Sequence, residues 1–354
     1  MIPELGTIEG FYGRPWDWEA RAAHVSALAP HGYRFFLYAP KADTFLRRRW
    51  SEPHPPEEAE RLSALAAHCR AEGVRFGVGL SPYELYLDFD GAAREALTRK
   101  LRWLDEIGID DLAILFDDMR GDLPGLADKQ IEIVDCAAER TKAGRLIVCP
   151  SYYTDDPILD RVFGQRPEDY LDDLGRRLDP SIGIFWTGPR VCSKEIPADH
   201  LARTGETLRR HPFIWDNYPV NDGQRMSPFL HLRGFTGRSG EIGSLVAAHG
   251  VNPASQPLLS RIPMLTLETV YRAPEYDADA AFLAAAETVA GPELARMLAE
   301  DLALMQDKGL DGMTDKETAA LRNRYAAVDN PCTREIVQWL DGYWRITDEI
   351  VQTQ

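Results

Sequence analysis

The sequence predicts a parallel (β/α)8 barrel followed by an all-helical C-terminal extension. Short apolar runs rich in β-forming residues alternate with amphipathic helical stretches, and the alternation occurs eight times over about 270 residues, close to the usual size of that fold. From Asp277 the strand patterns stop, and Ala-, Leu- and Glu-rich helical runs take over. We therefore expect a barrel over residues 1–272 and a helical extension over residues 273–354.

The eight predicted strands are apolar runs of three to seven residues bounded by turn residues, a pattern typical of strands that are buried on both faces. In chain order they are Gly6–Gly10, Tyr33–Ala39, Val74–Leu80, Asp111–Phe116, Leu146–Pro150, Ile182–Trp186, Phe213–Trp215 and Ser244–His249.

Helical patterns fill the intervals between these strands, and several carry start and stop signals. Pro56 marks one helix start, and Gly73, Gly108 and Gly144 follow helix ends. The predicted barrel helices are Trp18–Leu28, Pro56–Ala71, Ala92–Ile107, Ala127–Lys142, Asp169–Leu178 and Ala198–Arg210, with a further one after Ser255.

The predicted extension consists of helices with stripes of Leu and Trp, which are far more often packing surfaces than cofactor sites. We expect it either to pack on the barrel or to serve self-association into a homo-oligomer. Its helices are Ala280–Val289, Glu293–Leu304, Lys316–Ala327 and Arg334–Thr353.

Composition narrows the class of protein. No apolar run approaches the roughly 20 residues that span a bilayer, and the N-terminus lacks the features of a secretory signal, so we expect a soluble cytoplasmic protein. The formal net charge of −16 disfavours nucleic acid and membranes as partners. Arg47, Arg48 and Arg49 form a short basic cluster, which we expect either on a solvated loop or paired at the surface with the acidic segment that follows.

Motifs for metals and cofactors are missing from the sequence. The five cysteines are scattered, odd in number and never in a CxxC pair, and there is no HExxH, no glycine-rich phosphate loop and no GxSxG. We therefore expect no metal and no cofactor, and chemistry that uses side chains alone.

Asp117 and Asp118 are adjacent at the end of the apolar run that closes with Phe116. Paired acids often only terminate a strand at a turn. At the edge of a core, however, burial and mutual repulsion can separate the pKa values of two carboxyl groups, which is what acid/base chemistry requires. The pair becomes a candidate site only if other polar residues surround it.

Such residues follow the other predicted strands. The carboxyl ends of barrel strands form the face that carries active sites, so side chains after different strands meet there. Amides, carboxylates, one cation and aromatic rings suit a polyhydroxylated ligand, because hydroxyls need hydrogen-bond partners and the C–H face of a sugar packs on aromatic rings. These residues predict a carbohydrate site: Gly10, Lys41, Asp117, Asp118, Tyr153, Trp186, Asp216, Asn217, Asn221, Asp222 and Asn252.

Five segments, in order, resemble glycoside hydrolase family 84 over roughly residues 5–272. That family contains protein O-GlcNAcases and bacterial β-N-acetylglucosaminidases, some formerly described as hyaluronidases. The match begins at the first strand, so we expect no N-terminal α/β domain of the kind found in some bacterial members. The segments are Ile8–Trp16, Tyr38–Lys41, Phe116–Asp118, Trp186–Pro189 and Trp215–Asp222.

The resemblance implies a catalytic barrel and an exo-acting, retaining β-N-acetylglucosaminidase that uses substrate-assisted catalysis. The 2-acetamido oxygen of the sugar would attack its own anomeric carbon and form an oxazoline intermediate, so no enzyme nucleophile is needed. Asp117 matches the residue that orients the acetamido group, and Asp118 matches the general acid/base.

The remaining matched positions imply a complete pocket for one sugar. Tyr153 and Trp215 would face the acetamido group with Cys149 nearby, although the alignment leaves Tyr152 as an alternative to Tyr153. The expected ligands of the sugar hydroxyls and the acetamido region are Gly10, Lys41, Asn217, Asp222 and Asn252. The implied partner is a glycoprotein, glycopeptide or oligosaccharide that carries N-acetylglucosamine.

Two alternatives stay open. One is an endo-acting hexosaminidase of hyaluronidase type, which would require an open cleft and attraction of a polyanion by an acidic chain. The other is a non-catalytic N-acetylhexosamine-binding protein, for which the acid pair would be unnecessary.

Overall fold

The computed structural model describes residues 2–273 and 275–347, and its core is a closed barrel of eight parallel strands. Each strand pairs with the next in sequence, and the eighth pairs with the first. The predicted fold class is confirmed. The strands are β1 (Glu4–Glu9), β2 (Tyr33–Tyr38), β3 (Arg75–Leu80), β4 (Asp111–Leu115), β5 (Arg145–Cys149), β6 (Gly183–Trp186), β7 (Phe213–Asp216) and β8 (Ala248–Val251).

The helices between the strands begin and end where local capping dictates. The Asp17 and Asp90 side chains accept from backbone N–H groups of the first helical turn, and Gly108 ends its helix at φ 90°. These helices are α1 (Trp18–Leu28), α2 (Pro56–Ala71), α3 (Gly91–Ile107), α4 (Leu126–Ala138), α5 (Ile158–Phe163), α6 (Tyr170–Arg177), α7 (Ala198–Leu208), α8 (Gly223–Met226) and α9 (Arg261–Arg272).

A column of aromatic rings fills the barrel interior. Phe35 of β2 meets Phe213 of β7 edge to face at 5.3 Å, Phe213 meets Phe185 of β6 at 4.9 Å, and Phe185 meets Trp215 at 5.1 Å. Gly6 makes room for this column, because a Cβ there would lie 2.3 Å from the Phe35 ring. The packing of the barrel core therefore extends to Trp215, near the carboxyl end of β7.

The sequence prediction was wrong at the eighth strand. The segment Gly240–Ser244 is a 3-10 turn capped by the Ser239 side chain, and β8 begins only at Ala248. The apolar Leu245 and Val246 belong to the approach to the strand, where burial without pairing produces the same local pattern. The Ala247 N–H donates to the carbonyl of Pro212, the residue before β7, at 3.0 Å.

The extension packs on the barrel, one of the two predicted roles, and its self-association stays a prediction. The last predicted helix was too long: the helix that begins at Pro331 ends at Leu340, before Gly342 at φ 77°, and residues 348–353 lie outside the described part. The extension comprises α10 (Ala278–Ala290), α11 (Pro292–Leu302), a π-helical turn (Ala303–Lys308), α12 (Gly309–Gly312), α13 (Asp315–Ala326) and α14 (Pro331–Leu340).

One hydrophobic cluster joins the extension to the barrel. Leu259, just before α9, and Ile262, in its first turn, belong to this hydrophobic cluster. The cluster also contains Phe282, Leu298 and Trp339 of the extension. Packing is therefore continuous across residue 272, and the domain boundary there stays a prediction. Among residues 2–273 and 275–347, no helix is both long and apolar enough to cross a membrane.

Glu335 connects α14 to the loop between β8 and α9. Its buried carboxylate accepts hydrogen bonds at 3.0 Å from the backbone N–H groups of both Leu258 and Leu259. Burial raises the pKa of Glu335 to about 7, although these two hydrogen bonds and the nearby Arg261 act in the opposite direction.

This pKa predicts a pH-dependent stability. Between the ordinary value of 4.5 and about 7, the folded protein holds a proton that the unfolded chain releases. The contribution of Glu335 to the free energy of unfolding therefore falls as pH rises through this window, by roughly 3 kcal/mol. Urea unfolding at several pH values should show this slope disappearing in Glu335→Gln and persisting in Glu293→Gln, a change at an exposed acid of α11. Equal slopes in both variants would contradict the prediction.

Candidate active site

A pocket of about 730 Å³, its open mouth included, lies at the carboxyl ends of the strands. The ten residues that the family resemblance assigns to the sugar pocket all line it, at or just beyond the carboxyl ends of six different strands. The lining residues are Gly10, Tyr12, Lys41, Asp117, Asp118, Cys149, Tyr153, Thr187, Val191, Trp215, Asn217, Asp222, Gly223, Gln224, Arg225 and Asn252.

Asp117 and Asp118 follow β4, and both side chains are buried in the pocket wall. Successive side chains of a strand point to opposite faces, so two neighbours can share a pocket only if the backbone turns. Asp118 makes that turn with φ 58°, in the left-handed region that Asp tolerates better than most residues. The acid pair is thus a product of one unusual backbone conformation.

Lys41, which follows β2, provides the positive charge for the pair. Its Nζ forms an ion pair with Oδ2 of Asp117 and lies 3.7 Å from Oδ2 of Asp118. Within the described residues, Oδ1 of Asp117 is buried and has no hydrogen-bond partner. One carboxylate oxygen is therefore held by the cation, and the other is an unsatisfied acceptor.

Asp118 has different neighbours from Asp117. The Tyr12 hydroxyl donates to its Oδ2 at 2.6 Å, and the Tyr153 hydroxyl donates to its Oδ1 at 3.4 Å. Arg47 donates to the Tyr12 hydroxyl at 3.1 Å and to the Asp118 carbonyl oxygen at 3.3 Å. Burial, and next the charge of Asp118, raise the pKa of Tyr12 well above its ordinary value, so this phenol is a neutral donor.

An amide network forms the opposite wall. Asn252 accepts from the Gly10 N–H at 3.3 Å and donates to Oδ1 of Asn217 at 2.9 Å. The same Asn217 oxygen accepts from Nε1 of Trp215 at 3.1 Å, and its amide donates to the Val191 carbonyl at 2.8 Å. These hydrogen bonds fix the indole and both amides relative to the backbone of β1.

Asp216 was predicted among the strand-end polar residues but does not line the pocket. It pairs with Arg238 at 2.6 Å and with His249 at 3.0 Å, all three being buried. Burial alone would raise the pKa of Asp216, but these two partners hold it at about 2. Arg238 also donates to the carbonyls of Ser193 and Lys194 at 2.7 Å, which fixes the loop after β6 that carries Val191.

Tyrosine and asparagine neighbours named from the sequence differ in their position relative to the pocket. Tyr153 lines the pocket, whereas the hydroxyl of Tyr152 bonds to the Gly164 carbonyl at 2.6 Å. Asn221 is also structural, since its amide donates to the Phe229 carbonyl and to Gln256. Cys149 lies within the pocket wall, and burial, followed by the charge of Asp117, raises the pKa of its thiol well above the ordinary value.

Several residues of the site were given no role from the sequence. Tyr12 and Thr187 follow predicted strands, in segments that carry the family resemblance, but no contact was assigned to them. Gln224 and Arg225 lie on the four-residue helix α8, which is too short to show a period. The expectation of a solvated loop was wrong for Arg47, which is buried behind Tyr12, because three consecutive arginines give no indication of which one turns inward.

The C-terminal segment supports the pocket wall from outside. Gln224 donates to the Thr347 carbonyl, and the Ile346 N–H donates to the Ser227 hydroxyl at 3.2 Å. Arg14, two residues beyond Tyr12, stacks on the Tyr343 ring at 4.4 Å. The loops after β1 and β7 are therefore fixed by residues far away in sequence.

No cluster of three or more His, Cys, Asp or Glu side chains with metal-binding geometry occurs in residues 2–273 and 275–347. The expectation that the reaction needs no metal stays a prediction.

A (β/α)8 barrel with a buried carboxylate pair, a lysine and an amide network in one pocket defines a glycoside hydrolase. The family model described as beta-N-acetylglucosaminidase matches residues 5–303, which is most of the chain. The chain therefore belongs to the β-N-acetylglucosaminidase family of glycoside hydrolases, and the resemblance to glycoside hydrolase family 84 is confirmed.

Relatives support this assignment. The chain is 32% identical over 278 residues to the protein O-GlcNAcases of Mus musculus and Rattus norvegicus, an alignment that covers 75% of the chain. It spans only about 30% of the length of these relatives.

Solved structures share the fold. A mutant of the Thermobaculum terrenum O-GlcNAc hydrolase is 28% identical and superposes with a TM-score of 0.80, covering 96% of this chain and 80% of that one. CpGH84B is 22% identical with a TM-score of 0.77, over 96% of this chain and 66% of that one, and shows the fold alone.

The contact between Gly10 and Trp215 predicts a site-specific defect. A Cβ at Gly10 would lie 2.3 Å from the indole, so Gly10→Ala must displace the ring that lines the pocket. We expect kcat/KM for an aryl β-N-acetylglucosaminide to fall by about 100-fold or more, since misplacing a substrate contact by about 1 Å has that effect. Gly91→Ala, at an exposed helix start with no atom within 4 Å, should behave like the wild type. Equal activity of the two variants would contradict this.

Proposed function

We propose that the chain is an exo-acting, retaining β-N-acetylglucosaminidase that can release O-linked N-acetylglucosamine from Ser or Thr. The observation that carries the proposal is the asymmetry of the acid pair. Asp117 is bound by Lys41 and keeps one unsatisfied buried acceptor, whereas Asp118 is held by tyrosine hydroxyls. Two adjacent carboxyl groups in unlike surroundings suit two different tasks.

In the first step, the acetamido carbonyl oxygen of the substrate attacks the anomeric carbon as the bond to the aglycone breaks. Asp118 gives its proton to the departing oxygen. Asp117 accepts a hydrogen bond from the acetamido N–H through its unsatisfied oxygen, which orients the amide and stabilises the positive charge of the oxazoline. The ion pair with Lys41 holds the other carboxylate oxygen of Asp117 in place, so the unsatisfied oxygen is the one that meets the amide.

In the second step, Asp118 is ionised and removes a proton from water. The water oxygen attacks the anomeric carbon on the face that the aglycone left, the oxazoline opens, and the configuration is retained. The acetamido group and Asp118 both return to their starting states. No enzyme nucleophile and no other co-reactant take part.

The rest of the pocket fits one terminal sugar. We assign Trp215, Tyr153 and Cys149 to the acetamido methyl and carbonyl, because a neutral thiol and aromatic rings form an apolar recess. The Gly10 backbone, Asn217, Asp222 and Asn252 supply the polar groups that sugar hydroxyls need.

The two alternatives are less well supported. An endo-acting enzyme needs space for sugars on both sides of the cleaved bond, whereas this pocket is closed below by the barrel core and on one side by the amide network. A binding protein would not need Asp118 to be placed beside a donor and a guanidinium. The names of the relatives, protein O-GlcNAcase and O-GlcNAc hydrolase, agree with the proposal.

Substrate-assisted catalysis predicts an absolute need for the N-acetyl group. Aryl β-N-acetylglucosaminide should be hydrolysed, whereas the matching aryl β-glucoside should react at least about 1,000-fold more slowly, since it lacks the intramolecular nucleophile. Release of aryl alcohol measures both rates, and an O-GlcNAc peptide and hyaluronan test the aglycone. Comparable rates on the two aryl glycosides would overturn the mechanism, and depolymerised hyaluronan would favour the endo-acting alternative.

The assigned roles also predict opposite leaving-group behaviour for the two aspartates. In Asp118→Asn, activity should fall by about 100- to 10,000-fold with a poor leaving group and much less with an activated aryl group, whose departure needs little protonation. In Asp117→Asn, both substrates should slow to a similar degree, because each must pass through the oxazoline.

Kinetics of both variants on a good and a poor leaving group measure this split. An unchanged leaving-group dependence in Asp118→Asn, or the reverse pattern between the two variants, would show that the roles are wrongly assigned.

A further inference from the structure

We propose that Tyr12 and Arg47 are positioning residues that hold Asp118 in place and favour its ionised form, an inference that rests on the proposed function. Tyr12 follows β1 and Arg47 lies in the loop after β2, so neither is a neighbour of Asp118 in sequence. They reach it from one side, as a chain of hydrogen bonds from guanidinium to phenol to carboxylate.

The hydrogen bonds from Arg47 to Tyr12 and from Tyr12 to Asp118 both donate in one direction, toward the carboxylate. Arg47 Nη1 donates to the Tyr12 oxygen at 3.1 Å, so the hydroxyl hydrogen of Tyr12 is left for Oδ2 of Asp118, at 2.6 Å. A phenol that accepts from a cation is a stronger donor, because hydrogen bonds in a chain polarise one another. Tyr12 keeps its proton, since burial and the charge of Asp118 raise its pKa well above the ordinary value.

Tyr12 and Arg47 are each also held by hydrogen bonds to other groups. The Tyr12 N–H donates to Asp222 at 2.8 Å, and Arg47 Nη2 donates to the Asp118 carbonyl oxygen at 3.3 Å. The loop that carries Arg47 is tied down by buried Lys100 of α3, which donates to the carbonyls of Phe45 at 2.9 Å and Glu52 at 2.8 Å. Tyr12 and Arg47 therefore meet Asp118 in one defined geometry.

This geometry matters because Asp118 needs both protonation states in one turnover. A donor to a carboxylate stabilises the ionised form, which the second step uses as a base, and eases proton loss in the first step. Other titratable groups also lie near Asp118, Tyr12 and Arg47. They are unchanged in the variants described below and therefore affect every pH profile equally. These groups are Lys41 after β2, Tyr83 after β3, Asp117 after β4, Cys149 at the end of β5, Tyr153 beyond it and Asp222 after β7.

Tyr12→Phe tests the proposal, since it removes the hydroxyl and keeps the ring. The basic limb of the pH profile of kcat/KM, which reports proton loss from Asp118 in the free enzyme, should move up by about one to two pH units, or roughly 10- to 100-fold in proton affinity. Tyr152→Phe is the matched control, because its buried hydroxyl bonds to the Gly164 carbonyl instead. Its basic limb should stay where the wild-type limb lies.

Arg47→Met tests whether Arg47 acts through Tyr12. Alone it should shift the basic limb upward by less than Tyr12→Phe does, and in the double variant it should add little to the shift of Tyr12→Phe. Fully additive shifts would show that the two residues act separately, and would contradict the proposal that Arg47 acts through Tyr12. If Arg47→Met does not fold, as judged by thermal unfolding, Arg47→Lys replaces it, since Lys keeps the charge but cannot make both hydrogen bonds.

Two outcomes separate this inference from the proposed function. Failure of the wild type to hydrolyse aryl β-N-acetylglucosaminide would remove the proposed function itself. An active wild type whose basic limb is unmoved by Tyr12→Phe, even if activity falls, would show that Tyr12 only supports the structure, and would overturn the pair alone.

Discussion

One lysine compensates two buried carboxylates, and the arrangement of the loops above this barrel depends on that contact. Without a partner, an ionised carboxylate at either Asp117 or Asp118 would carry a large desolvation penalty in the pocket wall. Lys41 removes much of that penalty by pairing with one and approaching the other at 3.7 Å. Because the lysine and the acids follow different strands, β2 and β4, this attraction also determines how the two loops face each other.

A buried group of charged side chains below the pocket fixes the loops of the opposite wall. Asp216, Arg238 and His249 lie below the pocket, and Arg238 reaches two carbonyls of the loop after β6. The amide network above depends on that loop through the Val191 carbonyl. Stability and pocket shape are thus produced by the same hydrogen bonds, which is typical of sites whose contacts are held by a second layer of partners.

The sequence predicts the parts of this protein that depend on local pattern. Seven strands and most barrel helices follow from apolar runs and caps, and the ten pocket residues follow from the ends of strands together with the family resemblance. The eighth strand could not be located from pattern, because Val246 is buried and Leu245 half-buried before pairing begins. The inward turn of Arg47 depends on tertiary contacts with Tyr12 and on an anchor in α3, which no window around residue 47 contains.

The column of aromatic rings links the packing of the barrel core to the position of Trp215 in the pocket. Phe35, Phe213 and Phe185 pack edge to face up to Trp215, so the indole rests on rings that do not line the pocket. Protein interiors are close-packed and transmit changes in volume, so a smaller or larger ring two layers down would tilt the indole. Under the proposed assignment of Trp215 to the acetamido group, tolerance for bulkier acyl groups on the sugar nitrogen can then evolve from inside the barrel as well as around the mouth of the pocket.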